Sequence, residues 1–316
     1  MSLHVTENPR VLGCDVGKEE IVVFDGAAGR IARLANRTEV LTDFLKALDP
    51  DCLVVCEATG GYELSLLAAS LAAGVPAHRA DARKVKAFIR SFGTLGKTDA
   101  IDAKALARYA AERGHELPRW RARDELRLKL QAFVLARRDL VADRLAYQNR
   151  RDAPGAEPLH AHFDPLLDAF KVRIAALDAE IQALTESCQP VADAVKALVD
   201  IPGIGLKTAA ALLALLPELG TTTNKRIAAL AGLAPHPDQS GSADRYRHVR
   251  GGRPEVKRSL FMAALTARKH NPKLRAFYER LVSAGKKPIV AIVAVMRKLV
   301  TFANAALRKN TASQVS

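Results

Sequence analysis

The apolar positions in the N-terminal third come in short blocks separated by turn residues. Val11 to Val16, Ile21 to Asp25 and Ile31 to Leu34 predict three strands, the last two joined through the glycine-bearing turn DGAAG. Leu41 to Leu48 has helical spacing. CLVVCEATG is a continuous apolar run, the pattern of a strand buried in the middle of a sheet. GGYELSLLAASLAAGV predicts a helix ending at Gly74, PAHRAD a short strand, and ARKVKAFIRSFG the start of another helix. The order βββαβαβα is that of a mixed α/β domain over residues 1–122.

The pattern changes near Arg123. DELRLKLQAFVLARRDLVADRLAYQNRRD carries apolar residues at spacings of three and four for about eight turns, an amphipathic helix of coiled-coil length. APGAEPLHAHFDP interrupts it and LLDAFKVRIAALDAEIQALTESC resumes it, so residues 123–190 predict an antiparallel helical hairpin, a spacer or dimerisation arm. VKALVDIPGIGLKTAAALLALLPEL then predicts two helices about the turn IPGIG. It resembles the helix-hairpin-helix, a motif that grips the DNA backbone. There Gly203 and Gly205 would expose N–H groups, and with Lys207 they would hold a phosphate. A short helix, the polar loop HPDQSGSADRYRHVRGGRPE and three more helices complete a mainly α-helical region, 191–316.

Composition adds a class. Apolar residues are 49% and charged residues 26%, as in a folded protein. The longest uncharged apolar stretch, Pro288 to Met296, predicts no membrane span. The N-terminus lacks the regions of a signal peptide, so the expected location is the cytoplasm. Four cysteines form no metal-binding pair, and Cys52 and Cys56 read as core residues of a strand. The net charge is +14, and residues 240–316 hold 17 Lys and Arg against 3 Asp and Glu, so the rest of the chain is balanced. Such a field attracts polyanions, above all nucleic acid. Arg245, Arg247, Arg250, Arg253, Lys257 and Arg258 surround the polar loop and are the candidate contacts.

Four carboxylates stand where packing does not call for them. Alternation puts Leu12 and Cys14 on one face of the first strand and Gly13 and Asp15 on the other. Glu57 ends the apolar run CLVVCE. Burying an unpaired carboxylate costs several kcal/mol. Asp99 and Asp102 lie three apart at the start of a helix and share a face. Each has an ordinary reading alone, Asp99 as a helix cap and Asp102 as a surface acid. Together the four repel unless divalent cations neutralise them, and hard oxygen ligands suit Mg²⁺ or Mn²⁺. Lys18 and Lys97 flank the site and would meet a phosphate.

Strand acid GCDVG, strand acid CEATGGY and GKTDAIDAKALA resemble the DEDD signature of insertion-sequence transposases. The core of that family resembles the Holliday-junction resolvase RuvC, and the family includes the pilin-gene invertase Piv. LVDIPGIGLKTAAALLA, LAGLAPHPDQSG and GGRPEVKRSLFMAA resemble its C-terminal domain. The resemblance implies an RNase H-like core with Asp15, Glu57, Asp99 and Asp102 as metal-binding catalytic acids. It implies a catalytic serine before a glycine, here Ser240, with Ser242 the near alternative. It further implies DNA cutting and rejoining at element ends and target, guidance by a non-coding bridge RNA, and a homodimer or tetramer. A junction-resolving nuclease needs the same acids without the serine. A binding protein on an inactive nuclease fold would not need the intact acids.

Overall fold

The structure, a computed structural model, describes residues 10–49, 51–93, 98–122, 124–235, 239–240, 243–244 and 249–313, without side chains at 239, 240, 243, 244 and 309–313. Lys97, Ser242, Arg245 and Arg247 lie outside the described residues. The chain divides into two compact units, Met1–Arg123 and Asp124–Ser316.

In the first unit β1 (Val11–Val16), β2 (Glu20–Asp25), β3 (Arg30–Ala35), β4 (Leu53–Glu57) and β5 (Ala77–Ala80) form one sheet in the order β3-β2-β1-β4-β5. β1 pairs antiparallel with β2 and β2 with β3, while β1–β4 and β4–β5 are parallel. The parallel pairs need crossovers, and the helices α1 (Thr38–Lys46) and α2 (Leu64–Ala73) supply them. Alternation then sorts the side chains. Leu12, Cys14, Val54 and Cys56 join Leu41, Leu45, Leu66 and Leu67 in a core on the α1–α2 face. Val11, Leu53 and Val55 join Val85, Leu106, Ala107 and Ala110 of α3 (Ala82–Arg90) and α4 (Asp99–Arg113) on the other.

Gly13 shows how closely α4 approaches. A Cβ there would fall inside the Ala103 carbonyl oxygen and the Ala107 nitrogen. The strand lacks a side chain where the helix backbone lies on it. Gly13→Ala is therefore expected to lower stability by about 3 kcal/mol. Urea unfolding of the full chain checks this through Trp120, the single tryptophan, which packs on the first unit's core. An unchanged midpoint would contradict this packing.

The second unit is helical. α5 (Glu125–Arg151) and α6 (His160–Glu186) form the antiparallel hairpin, tied by Arg151–Asp164 near its turn and by Arg137–Asp178 further along. The hairpin base shares one core with the six helices after it. Leu130 and Ile181 pack with α7 (Gln189–Val199), α8 (Leu206–Leu215), α9 (Asn224–Leu230), α10 (Pro254–His270), α11 (Pro272–Ser283) and α12 (Pro288–Ser313). The strands β6 (Gln239–Ser240) and β7 (Ala243–Asp244) pair between α9 and α10.

By length and composition Pro288–Arg308 of α12 is apolar enough to cross a membrane. Its inner positions Ala291, Ile292, Val295, Met296, Leu299, Val300 and Ala303 recur at helical spacing and are buried in the unit's core. Arg297 and Lys298 sit among them in sequence, so the uncharged apolar run itself stays short.

Candidate active site

β1 and β4 run parallel with Gly13 beside Val55 and Cys14 beside Cys56. The next residues along the two strands are Asp15 and Glu57. Asp15 follows Gly13 on the α4 face, and Glu57 follows Val55 on that same face. Two carboxylates thus leave the carboxyl ends of neighbouring strands toward one helix, both half-buried.

α4 brings the second pair. Its buried stripe is Ala103, Leu106, Ala107 and Ala110. Asp99 lies one turn before Ala103, and Asp102 one turn before Leu106. The two acids therefore prolong, in the first turn, the stripe that packs on the sheet. Asp99 is not the helix cap. Thr98 is, its hydroxyl accepting from Ile101 N at 3.2 Å. The ordinary reason for an acid at Asp99 is thus already met by its neighbour. Lys18 is exposed in the turn after β1, 3.7 Å from Glu19.

The four acids share one end of β1, β4 and α4. Among the described residues, no three His, Cys, Asp or Glu side chains stand close enough to hold a metal ion. The donor set is carboxylate oxygen throughout, which fits Mg²⁺ or Mn²⁺ and no softer metal. Asp15, Glu57 and Asp102 are half-buried and Asp99 is exposed, which leaves these side chains rotamer freedom to close on a cation.

Two residues that the sequence reading passed over frame this end of the sheet. Glu63, at the start of α2, is fully buried. Its carboxylate accepts from Thr59 N at 3.1 Å, Thr59 Oγ1 at 3.2 Å, Gly61 N at 2.9 Å and Arg79 Nε at 2.7 Å. Burial pushes its carboxyl up, but backbone N–H groups and the Arg79 guanidinium outweigh burial and hold it at about 2. Asn36, just after β3, donates Nδ2 to Gly17 O at 2.9 Å and Tyr62 O at 3.0 Å. It joins the turn after β1 to the loop after β4.

Glu63 gives a pH prediction. Its folded pKa lies below the usual value near 4.5, so its stabilisation is complete above pH 4.5 and is lost as pH falls toward 2. Asp25, held low by Arg10, titrates in the same limb. The difference between wild type and Glu63→Gln isolates the Glu63 part. Acid unfolding followed by Trp120 fluorescence is expected to be less steep in the variant. Superimposable curves would contradict the assignment.

In the second unit the IPGIG turn joins α7 to α8. Gly203 has φ 108°, and a Cβ there would collide with Ala267 of α10. Its glycine is required by packing. Gly205, the N-cap of α8, faces open space. Lys207 is largely exposed with its Nζ 2.8 Å from Asp178. It lines a groove of about 460 Å³ with Arg137, Arg138, Thr208, Arg258 and Met262. Lys257 is half-buried, and Arg250 and Arg258 are exposed. Arg253 is turned inward: its guanidinium donates to Glu218 at 2.6 and 2.7 Å and to Leu215 O at 3.0 Å. These bonds occupy part of the guanidinium fork that the sequence makes a nucleic-acid candidate.

Ser240 ends β6 opposite Ala243. The base of this segment is fixed. Pro235 bridges to Val249, and Gly252 crosses Gly232 so closely that neither has room for a Cβ.

A transposase family model, DEDD type of the IS110 group, matches residues 12–153, which include all four acids. A second, described as the transposase IS116/IS110/IS902 family, matches residues 195–279, which include the IPGIG turn and Ser240. The pilin gene-inverting protein of Moraxella lacunata is 29% identical over 81% of this chain and 80% of its own. An insertion element IS110 protein of Streptomyces coelicolor is 34% identical over 43% of this chain and 33% of its own. An insertion element IS900 protein of Mycobacterium paratuberculosis is 26% identical over 94% of this chain and 95% of its own. With the acids in one half and the serine segment in the other both matched, the chain belongs to the IS110-type transposase family.

Proposed function

We propose that the protein is the recombinase of an insertion element, with Asp15, Glu57, Asp99 and Asp102 as metal-binding catalytic acids and Ser240 as nucleophile. The observation that supports the reading is the parallel register ending at Cys14 beside Cys56, which makes Asp15 and Glu57 the next residues of neighbouring strands. The strand order β3-β2-β1-β4-β5 supports an RNase H-like core. A divalent cation held by these acids would supply polarisation of the scissile phosphate. Ser240 Oγ forms a bond to phosphorus as the bond to the leaving deoxyribose oxygen breaks, and the hydroxyl proton ends on that oxygen. The phosphoserine link conserves the bond for rejoining.

Lys207, Arg250, Lys257 and Arg258 hold backbone phosphates of element-end and target DNA, with Lys18, Lys97, Arg245 and Arg247 completing the basic set. The excess positive charge also suits a guiding bridge RNA. Exposed apolar residues on the hairpin, Leu128, Leu145, Leu166 and Val172, support a homo-oligomer formed through that arm. The similarity over most of the chain to a pilin gene-inverting protein supports inversion as the alternative outcome of the same chemistry.

The test is recombination of a plasmid carrying element ends and target, with Mg²⁺ and the element's own non-coding RNA. Strand exchange is expected, and its absence with intact binding would overturn the reading. Binding itself should fall steeply with salt. Lys207→Glu with Arg258→Glu is expected to reduce the logarithmic salt slope by about 1.8 on unrelated duplexes alike. Arg253→Ala should leave the slope unchanged and instead cost about 2 kcal/mol of stability by stranding Glu218. A slope change in Arg253→Ala alone would reverse these roles.

A further inference from the structure

The loop after β4 reads Ala58-Thr59-Gly60-Gly61-Tyr62, and it begins at the Glu57 carboxylate's own strand end. Gly60 and Gly61 have φ of 74° and 114°, so the backbone there is free to adopt many other conformations. It is held by two side chains from outside the loop. Glu63 takes three of its donors, Thr59 N, Thr59 Oγ1 and Gly61 N, on one carboxylate oxygen. The other oxygen is fixed by Arg79 of β5, the strand beside β4. Asn36 then ties Tyr62 O to Gly17 O, two residues beyond Asp15. The Asn36 Oδ1 is buried and, among the described residues, accepts no hydrogen bond. An amide that leaves its own acceptor unpaired is retained for its two donors.

We propose that Glu63, locked by Arg79, and Asn36 are positioning residues that hold the ends of β1 and β4 at fixed spacing, so that Asp15 and Glu57 are set for a divalent cation before any nucleic acid binds. This rests on the reading of those acids as the metal-binding site. Neither Glu63 nor Asn36 needs to touch the cation. A flexible Gly-Gly loop released from the clamp lets Glu57 wander from Asp15, and the cation must then restore the spacing at the expense of its own affinity. Outer residues of this kind typically change metal affinity by about tenfold to a hundredfold.

The test uses the full chain as Glu63→Gln, Asn36→Ala and, for reference, Asp15→Asn. Hydrogen exchange at the Thr59 and Gly61 amides is measured without cation, the Mn²⁺ dependence of thermal unfolding without nucleic acid, and strand cleavage against Mg²⁺ concentration. Both clamp variants are expected to exchange faster, to need about tenfold more Mn²⁺ and Mg²⁺, and to regain near wild-type cleavage at saturating Mg²⁺. Arg79→Ala should match Glu63→Gln, and Arg79→Lys should recover part of the loss. Asp15→Asn should cleave at no Mg²⁺ concentration. An unchanged cation requirement in both clamp variants overturns the proposal, as does a loss that no Mg²⁺ concentration restores. If Glu63→Gln fails to fold, Asn36→Ala decides alone. Wild-type cleavage by Asp15→Asn would sink the functional reading, while the Mn²⁺-dependent unfolding would still judge the clamp.

Discussion

Replacing any one of Asp15, Glu57, Asp99 or Asp102 with alanine is expected to lower strand cleavage and recombination by about a thousandfold or more, the equivalent of about 4 kcal/mol in the barrier. The fold should survive each change. Thr98 caps α4 without help from Asp99, and the sheet-facing stripe that anchors the helix begins at Ala103. An acid in the first turn of a helix contributes only about 0.3–1 kcal/mol through the helix dipole. Stability and activity therefore separate: urea midpoints stay close to wild type while the Mg²⁺-supported reaction disappears. On the proposed reading the carboxylates must also fail as a set, because each would supply part of one cation's ligand shell. Near wild-type recombination in any two of the four variants would remove the site, whatever the family resemblance implies.

The faces of the first unit were legible because strand alternation is local. Leu12 and Cys14 turn to α1 and α2, and Gly13 and Asp15 turn to α4, as two-residue periodicity dictates. The i and i+3 spacing likewise puts Asp99 and Asp102 on one helix face. What stayed hidden depends on partners far along the chain. Glu63 reads in GGYELS as an ordinary acid opening a helix. Its significance comes from Arg79, on the next strand, and from a loop that folds back on it. Asn36 looks like a turn residue until Gly17 and Tyr62 arrive from two other connections. Arg253 counts as one more positive charge until Glu218 closes on it. Gly203 fits a phosphate-binding turn by sequence, and only the approach of Ala267 reveals a packing requirement. Charge and turn chemistry are properties of single residues. Burial and pairing are properties of the fold, and so these roles could not be read from composition or spacing.

Ser240→Ala is expected to abolish strand transfer, by at least about a thousandfold, while DNA and RNA binding persist. The substitution removes one oxygen and leaves the four acids and the candidate phosphate contacts Lys207 and Arg258 in the sequence. The segment is pinned below by the Pro235–Val249 bridge, by the Gly232–Gly252 crossing and by the Arg253–Glu218 pair. Loss of activity in Ser240→Ala with an unchanged melting curve therefore points to chemistry at this hydroxyl. Covalency is the sharper measure, since an acidic nuclease site alone never attaches protein to DNA. Wild-type protein trapped on a nicked suicide substrate should migrate as a protein–DNA adduct in a denaturing gel. Ser240→Ala should yield none, and Ser242→Ala should still yield one. The reverse pattern would transfer the role to Ser242. An absence of adduct in wild type, joined with full recombination by both variants, would leave a metal-dependent nuclease in which the four acids act without a serine.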